Sequence, residues 1–431
     1  MRRIEMTERR SFFARLAGLG AAALTPKAAR AQHDHHKHHV PAAKPVGVNL
    51  PVEFPDLPKL PYKMIDGWKE FQMTAEVVKT ELMPGRPLIA WGYNGSVPGP
   101  TIEVNEGDKV RVIFENRLPE MTAVHWHGFE VPMEMDGSVG LGQDPVPPGG
   151  KYVYEFELKQ HGTFFYHSHF AMQEMMGMVG MFVMHPKEPY APKVDRDFGL
   201  VLQEWMLLPN NDVPNTLAME FNWLSFNGKA GPACTPMIVK QGERVRIRLV
   251  NIGMDHHPIH LHGMQFVMSG TEGGRVPEHL WYPMNTIIVG VAQARNIEFE
   301  AKYVGDWMLH CHLPHHMMNQ MVPMVGPVEH DGHGHHAHTA AEPPNPGMEA
   351  YPKDDPEKKK VPGYPQDMWM VMDDVIPPKA ENYGLRKGWT GSMMGMMTLV
   401  RVVTPEVYDK IAELKKAGPQ PHHHHNHGDH K

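Results

Sequence analysis

The feature that most limits the fold is an internal repeat. Gly107-Asp-Lys-Val-Arg-Val-Ile-Phe-Glu-Asn116 recurs as Gly242-Glu-Arg-Val-Arg-Ile-Arg-Leu-Val-Asn251, and His125-Trp-His-Gly128 recurs as His260-Leu-His-Gly263, both at an offset of 135 residues. Gly162-Thr-Phe-Phe-Tyr-His-Ser-His169 recurs as Gly305-Asp-Trp-Met-Leu-His-Cys-His312, at an offset of 143. Three matches in one order with a single change of offset mean two copies of one domain. The repeated segments read as strands. Val110, Val112 and Phe114 alternate with Arg111 and Ile113. Val245, Ile247 and Leu249 alternate with Arg244, Arg246 and Arg248, which predicts one wet face and one core face. With 40 Gly and 41 Pro in 431 residues, turns are abundant, and no convincing long helix interrupts the strands. The chain is expected to be all-β, with two tandem sandwiches over 68–190 and 195–329.

The flanks read differently. Arg9-Arg10-Ser11-Phe12-Phe13, a small-residue stretch from Ala14 to Leu24 and Ala29-Arg30-Ala31 together predict a twin-arginine export signal over 1–31. Met6 lies closer to the arginine pair and is an alternative start. Removing this segment takes away seven positive and two negative charges and leaves a net charge of −12. No basic face remains, and nucleic acid is not an expected partner. No other segment holds 18 consecutive apolar residues, so a soluble periplasmic protein without membrane insertion is expected. Residues 32–67 are His- and Pro-rich and are expected to be flexible. Residues 330–431 are expected to form a His/Met/Pro-rich extension, ending with a possible helix from Pro405 to Lys416.

Histidine carries the chemistry. Of 31 histidines, sixteen lie in three tracts, over 33–39, 330–338 and 422–430. Four clusters lie inside the repeats: His125/His127, His167/His169, His257/His260/His262 and His310/Cys311/His312/His316/Met321. In a strand, residues i and i+2 point to one side. Each His-x-His pair therefore offers two imidazoles to one site, while Cys311 faces away from its two neighbours. Two histidines (His257 and His316), a thiolate and the weak thioether of Met321 are the ligands of a blue-copper electron-transfer site. The eight other imidazoles, with no carboxylate among them, favour copper over iron, magnesium or calcium.

These clusters resemble the four signature motifs of multicopper oxidases, over about residues 88–326. The resemblance implies cupredoxin-like Greek-key sandwiches and four coppers per functional unit. His257, Cys311, His316 and Met321 would hold the type 1 copper, and His125 and His260 the type 2 copper. His127, His167, His169, His262, His310 and His312 would hold the type 3 pair. His257 follows His169 by only 88 positions, leaving no room for a middle domain. The pattern is similar to two-domain laccases with blue copper in the second domain alone, and Ser168 stands where a first-domain thiolate would be. The resemblance further implies a homotrimer with trinuclear clusters at the subunit interfaces.

The implied reaction is one-electron oxidation of a reducing substrate coupled to four-electron reduction of dioxygen to water. Proton delivery calls for a carboxylate near the cluster. Asp136, nine residues after His127, matches the acid that follows the first motif in many family members, and an ordinary Asp-Gly turn is the other reading. Met317 occupies the place of a second acid found in some bacterial members. The methionines after His169, around His316 and at 393–397 favour Cu(I) as reductant, with phenols as further substrates, because thioethers prefer Cu(I) to harder ions. For Met178, Met181 and Met184, which alternate with Gly and Val in a strand pattern, core filling is the expected role, and at 393–397 the two readings stand level. A role in copper resistance is expected. A copper nitrite reductase would need a thiolate at Ser168, and a periplasmic copper-storage protein would not need ten ordered imidazoles around one cysteine. Cys234 is expected to be a small buried thiol. His161, His185, His256, His279 and His315 have no assigned role.

Overall fold

A computed structural model describes residues 50–208, 211–317 and 371–418. The expected export signal, the three histidine tracts and Met321 lie outside the described residues. Strands dominate, in four sheets. In the first copy, Trp68–Met83 runs parallel to Lys109–Asn116, which pairs antiparallel with Lys151–Glu157. Facing that sheet are Ile102–Asn105, Val179–His185, Gly162–Ser168 and Val124–His127, hydrogen-bonded in that order. Val110, Val112 and Phe114 meet Trp126, Tyr166 and Phe182 in the core between them. The second copy repeats this plan. Arg196–Trp205 runs parallel to Arg244–Asn251 in a seven-stranded sheet, and a five-stranded sheet holding His257–Leu261 and Gly305–Cys311 faces it.

The two sandwiches are stacked. Phe165, Val179, Met181 and Val183 of the first pack against Val201, Val250, Ile252 and Ala294 of the second. Strands Gly162–Ser168 and Val179–His185 are therefore buried along their whole length. The stack overturns the expected wet face of Arg244–Asn251, because Arg246 and Arg248 are only 5% and 1% exposed. The face opposite the core meets the neighbouring sandwich rather than water. Burying a guanidinium requires charged partners, and these are present. Arg248 binds both oxygens of Asp197 (2.9 and 2.8 Å) and donates to Thr163 Oγ1 (2.7 Å) across the junction. Arg246 donates to Asp197 (3.1 Å) and Glu298 (3.0 Å), and Arg275 also reaches Glu298.

Both expected flanking boundaries also move. Residues 50–67 are not a loose lead-in. Val52, Phe54 and Leu57 are buried in the junction, Glu53 bridges to Phe198, and Tyr62–Ile65 pairs with Trp68–Phe71. The second sandwich does not end at 329. Its sheet contains Met397–Val403, which lies between Met237–Lys240 (parallel) and Gly305–Cys311 (antiparallel). In the first copy that place belongs to Val179–His185, between Ile102–Asn105 and Gly162–Ser168. The equivalent strand follows His169 closely in one copy and follows His312 only after a long insertion in the other. Met393, Met394, Met396 and Met397 are accordingly buried, as are Met178, Met181 and Met184. A helix, Pro405–Ala417, follows with Pro at its start, Lys415 and Lys416 in its last turn and Ile411 packed on Ile238 and Val403. Among the described residues no helix is long and apolar enough to cross a membrane.

Asp197→Ala would leave two buried guanidiniums short of their shared acceptor. The unfolding free energy is expected to fall by roughly 3–5 kcal/mol, read from urea denaturation of the metal-free protein. A loss under about 1 kcal/mol would mean that the junction does not depend on this network.

Candidate metal centres

Strand alternation builds the first centre. Ile259 lies opposite Cys311, and His260 opposite His310. Residues directly opposite on paired strands share a face. His257, Ile259, Leu261, Leu309 and Cys311 therefore point into the core, and His260, His262, His310 and His312 point out of it. His257, Cys311 and His316 are all buried. Cys311 Sγ lies 3.7 Å from His257 Nδ1 and 3.4 Å from His316 Nδ1, and the two nitrogens are 3.2 Å apart. Each far nitrogen has a carboxylate partner. His257 Nε2 is 3.1 Å from Glu204, and His316 Nε2 is 3.4 Å from Asp255. With Nε2–H committed outward, both Nδ1 lone pairs converge on the sulfur. Burial pushes the Cys311 thiol up to about 12, so only a bound cation would make it a thiolate near neutral pH. The hydrogen bond with His316 holds the Asp255 carboxyl below its ordinary range. The backbone of Met396 closes the site: Cys311 N–H donates to its carbonyl (3.0 Å), and its own N–H donates to His316 O (2.9 Å).

The outward histidines form two groups. In the first sandwich, His125 lies opposite His167. His125, His127 and His167 converge, with ring centroids 5.2–5.6 Å apart, and the exposed His169 ring is 5.4 Å from His125. His125 Nδ1–H donates to Asp136 O (2.7 Å), while His167 Nδ1 contacts Ser168 O (2.9 Å) and Glu174 (3.1 Å). That leaves the Nε2 atoms facing the group, where His167 Nε2 lies 3.3 Å from His127 Nδ1. Burial, then the neighbouring His167 and His125, lowers the His127 pKa to about 4. This imidazole is neutral at physiological pH, which is the form that binds metal.

In the second sandwich, His260 Nδ1–H donates to Asn285 O (2.7 Å) and His310 Nδ1–H to Cys311 O (2.8 Å). His262 Nε2 lies 3.0 Å from His310 Nε2, and the His312 ring is 5.4 Å from that of His310. Among the described residues no ring contact joins the first group to the second. Each group is edged by an exposed histidine, His169 in one and His312 in the other.

Asp136 sits beside the first group. Its Oδ1 is 3.5 Å from His125 Nδ1, and Ser138 donates to its other oxygen. The turn that carries it is fixed by Gly137 at φ +87°, where a Cβ would lie 2.0 Å from Val124 O. Glu174, Glu204 and Asp255 carry no motif and were not singled out from the sequence. The repeat offsets also show what replaced the first centre in the first sandwich. Thr122, Ser168 and Gln173 stand for His257, Cys311 and His316. Ser168 Oγ bonds Gln173 Oε1 (2.7 Å) and Thr122 Oγ1 (3.1 Å), filling the space with neutral hydrogen bonds.

The chain matches two multicopper oxidase family models, over residues 76–189 and 208–329. It is 40% identical over 136 residues to a copper resistance protein A homolog of Pseudomonas syringae pv. tomato, covering 32% of this chain. That match spans 23% of the relative's length, and those to two further copper resistance proteins A span 24% and 22%. Among solved structures it resembles the blue copper oxidase from Nitrosomonas europaea, with a TM-score of 0.54 and 28% identity, covering 58% of this chain and 81% of that one. It also resembles the multicopper oxidase mgLAC, with a TM-score of 0.55 and 30% identity, covering 58% and 81%. Its two stacked sandwiches and its paired histidine motifs are those of that fold, and the chain belongs to the multicopper oxidase family.

Proposed function

We propose that the chain is an oxidase that takes single electrons from a small reductant and delivers them to dioxygen, with Cu(I) as the favoured reductant and phenols as further substrates, in periplasmic copper resistance. The observation that carries this reading is the strand Gly305–Cys311, whose end turns Cys311 inward and His310 and His312 outward. His257, Cys311 and His316, with Met321, would hold the type 1 copper; His125 and His260 would hold the type 2 copper. His127, His167, His169, His262, His310 and His312 would hold the type 3 pair. Bound copper would supply one-electron redox chemistry at the first centre and oxygen reduction at the second.

The protein's own groups do the rest. Asp255, partly exposed and in contact with His316, opens the buried centre to a reductant at the surface. The Cys311 backbone, with its carbonyl hydrogen-bonded to His310, is a short covalent link between the centres. Asp136, beside His125 and held by Ser138, is placed to hold a proton for the oxygen site. The two histidine groups stay apart within one chain, which supports a homotrimer whose oxygen sites are completed by neighbouring subunits.

Three measurements test this. Cys311→Ser should abolish the blue absorption of the copper-loaded protein and bring oxygen uptake with Cu(I), a simple phenol and Fe(II) to background; full uptake would sink the mechanism. His127→Ala and His262→Ala chains, each inactive alone, should recover about a quarter of native uptake when co-refolded in equal amounts, since one interface in four then unites two intact halves. No recovery would mean that no site is shared. Finally, His127 protonates near pH 4 in the folded metal-free protein, against about 6.5 when unfolded. The unfolded chain binds its proton first as pH falls, so metal-free stability should drop from about pH 6.5 towards 4. His127→Gln should flatten that part of the urea-midpoint profile.

A further inference from the structure

The two sandwiches share one frame, and their differences isolate what the buried centre requires. Asn116 and Asn251 mark equivalent points. Asn116 Nδ2 donates to Glu120 O and Val146 O (2.8 and 2.9 Å), and Asn251 Nδ2 to Asp255 O and Val289 O (2.7 and 3.0 Å). Asn116 lies opposite Ala75 in one parallel pair, and Asn251 opposite Leu202 in the other. Two residues further on, Glu204 therefore corresponds to Val77. Val77 is 47% exposed, whereas Glu204 is buried. Gly253, which corresponds to Leu118, gives Glu204 its space, for a Cβ at 253 would lie 2.0 Å from Glu204 Oε2. The carboxylate and the gap that admits it occur only in the copy that has His257. Where Thr122 replaces that histidine, both are missing.

We infer that Glu204 is the positioning residue that makes His257 an Nδ1 ligand and biases the centre towards oxidised copper. The inference rests on the copper reading above. Glu204 Oε2 accepts from His257 Nε2–H, and Oε1 accepts from the backbone N–H of Met254 and, at 3.0 Å, of Asp255. Both oxygens are needed as acceptors, a requirement that a carboxylate meets and an amide cannot. A glutamine would either turn its NH2 towards His257, favouring the wrong tautomer, or leave the backbone donors unpaired. A fixed negative charge against a ligand imidazole strengthens the imidazole as a donor and stabilises Cu(II) over Cu(I).

The test compares copper-loaded native protein with Glu204→Gln. The variant should lose roughly 10–100-fold in copper affinity at the blue centre. Its reduction potential, read by redox titration of the blue band, should rise. A native potential and a native blue band would overturn the inference, and a merely structural role would lower only the melting temperature. If the variant does not fold, native Cu(I)-loaded protein serves instead. Nitrogen-15 NMR should find His257 protonated at Nε2, and a proton at Nδ1 would overturn the inference. Failure of the native protein to turn blue would sink the copper reading itself, not this assignment.

Discussion

Side-chain alternation along one strand is the constraint on which the rest of this molecule depends. Between Leu309 and His312 the backbone sends successive side chains to opposite faces, so one short segment serves a dry thiol site and an open imidazole site at once. Each face then imposes its own demands. The inner face must exclude water and pre-orient three donors, which requires an apolar sandwich core around them. The outer face instead leaves its imidazoles together at an open surface, with His312 exposed. The first sandwich covers the sheet opposite, not the sheet that carries Cys311 and its neighbours.

The stacking of the sandwiches has an electrostatic cost that the sequence partly disguises. Arg246 and Arg248 look like residues of a solvated face, and they are instead clamped between sheets by Asp197, Glu298 and Thr163. Such a network adds little net stability over apolar packing, but it penalises any other way of joining the two halves, because a misplaced junction would leave guanidiniums buried without acceptors. The junction also holds the first-sandwich strand Gly162–Ser168, which carries His167, between two covered faces. The charges thus bear on the geometry of the histidine groups as well as on the fold.

Much of this was legible in the chain itself, for identifiable reasons. The period of two in Val110–Phe114 and Val245–Leu249, and the three repeated motifs, are local signals, and they yielded the two sandwiches and the facing of Cys311. Burial of Arg246 was not legible, since a strand pattern cannot distinguish water from another protein layer. The strand Met397–Val403 was missed because a long insertion separates it from the motif it completes. Glu204 lies 53 residues before the histidine it contacts and belongs to no motif. Only the comparison of one copy with the other, with Val77 in its place, exposes its purpose.

That distant strand has a consequence for how the protein is made. In the first sandwich, every strand of the ligand-bearing sheet has been synthesised by residue 185. In the second, the Cys311 strand lacks its neighbour Met397–Val403 until residue 403 has been synthesised. The thiol is therefore the last functional group to be enclosed. A nascent or truncated polypeptide presents the outward histidines of its first half well before it owns a closed sulfur site. The pocket around the thiol is thus complete only once Met397–Val403 has joined the sheet.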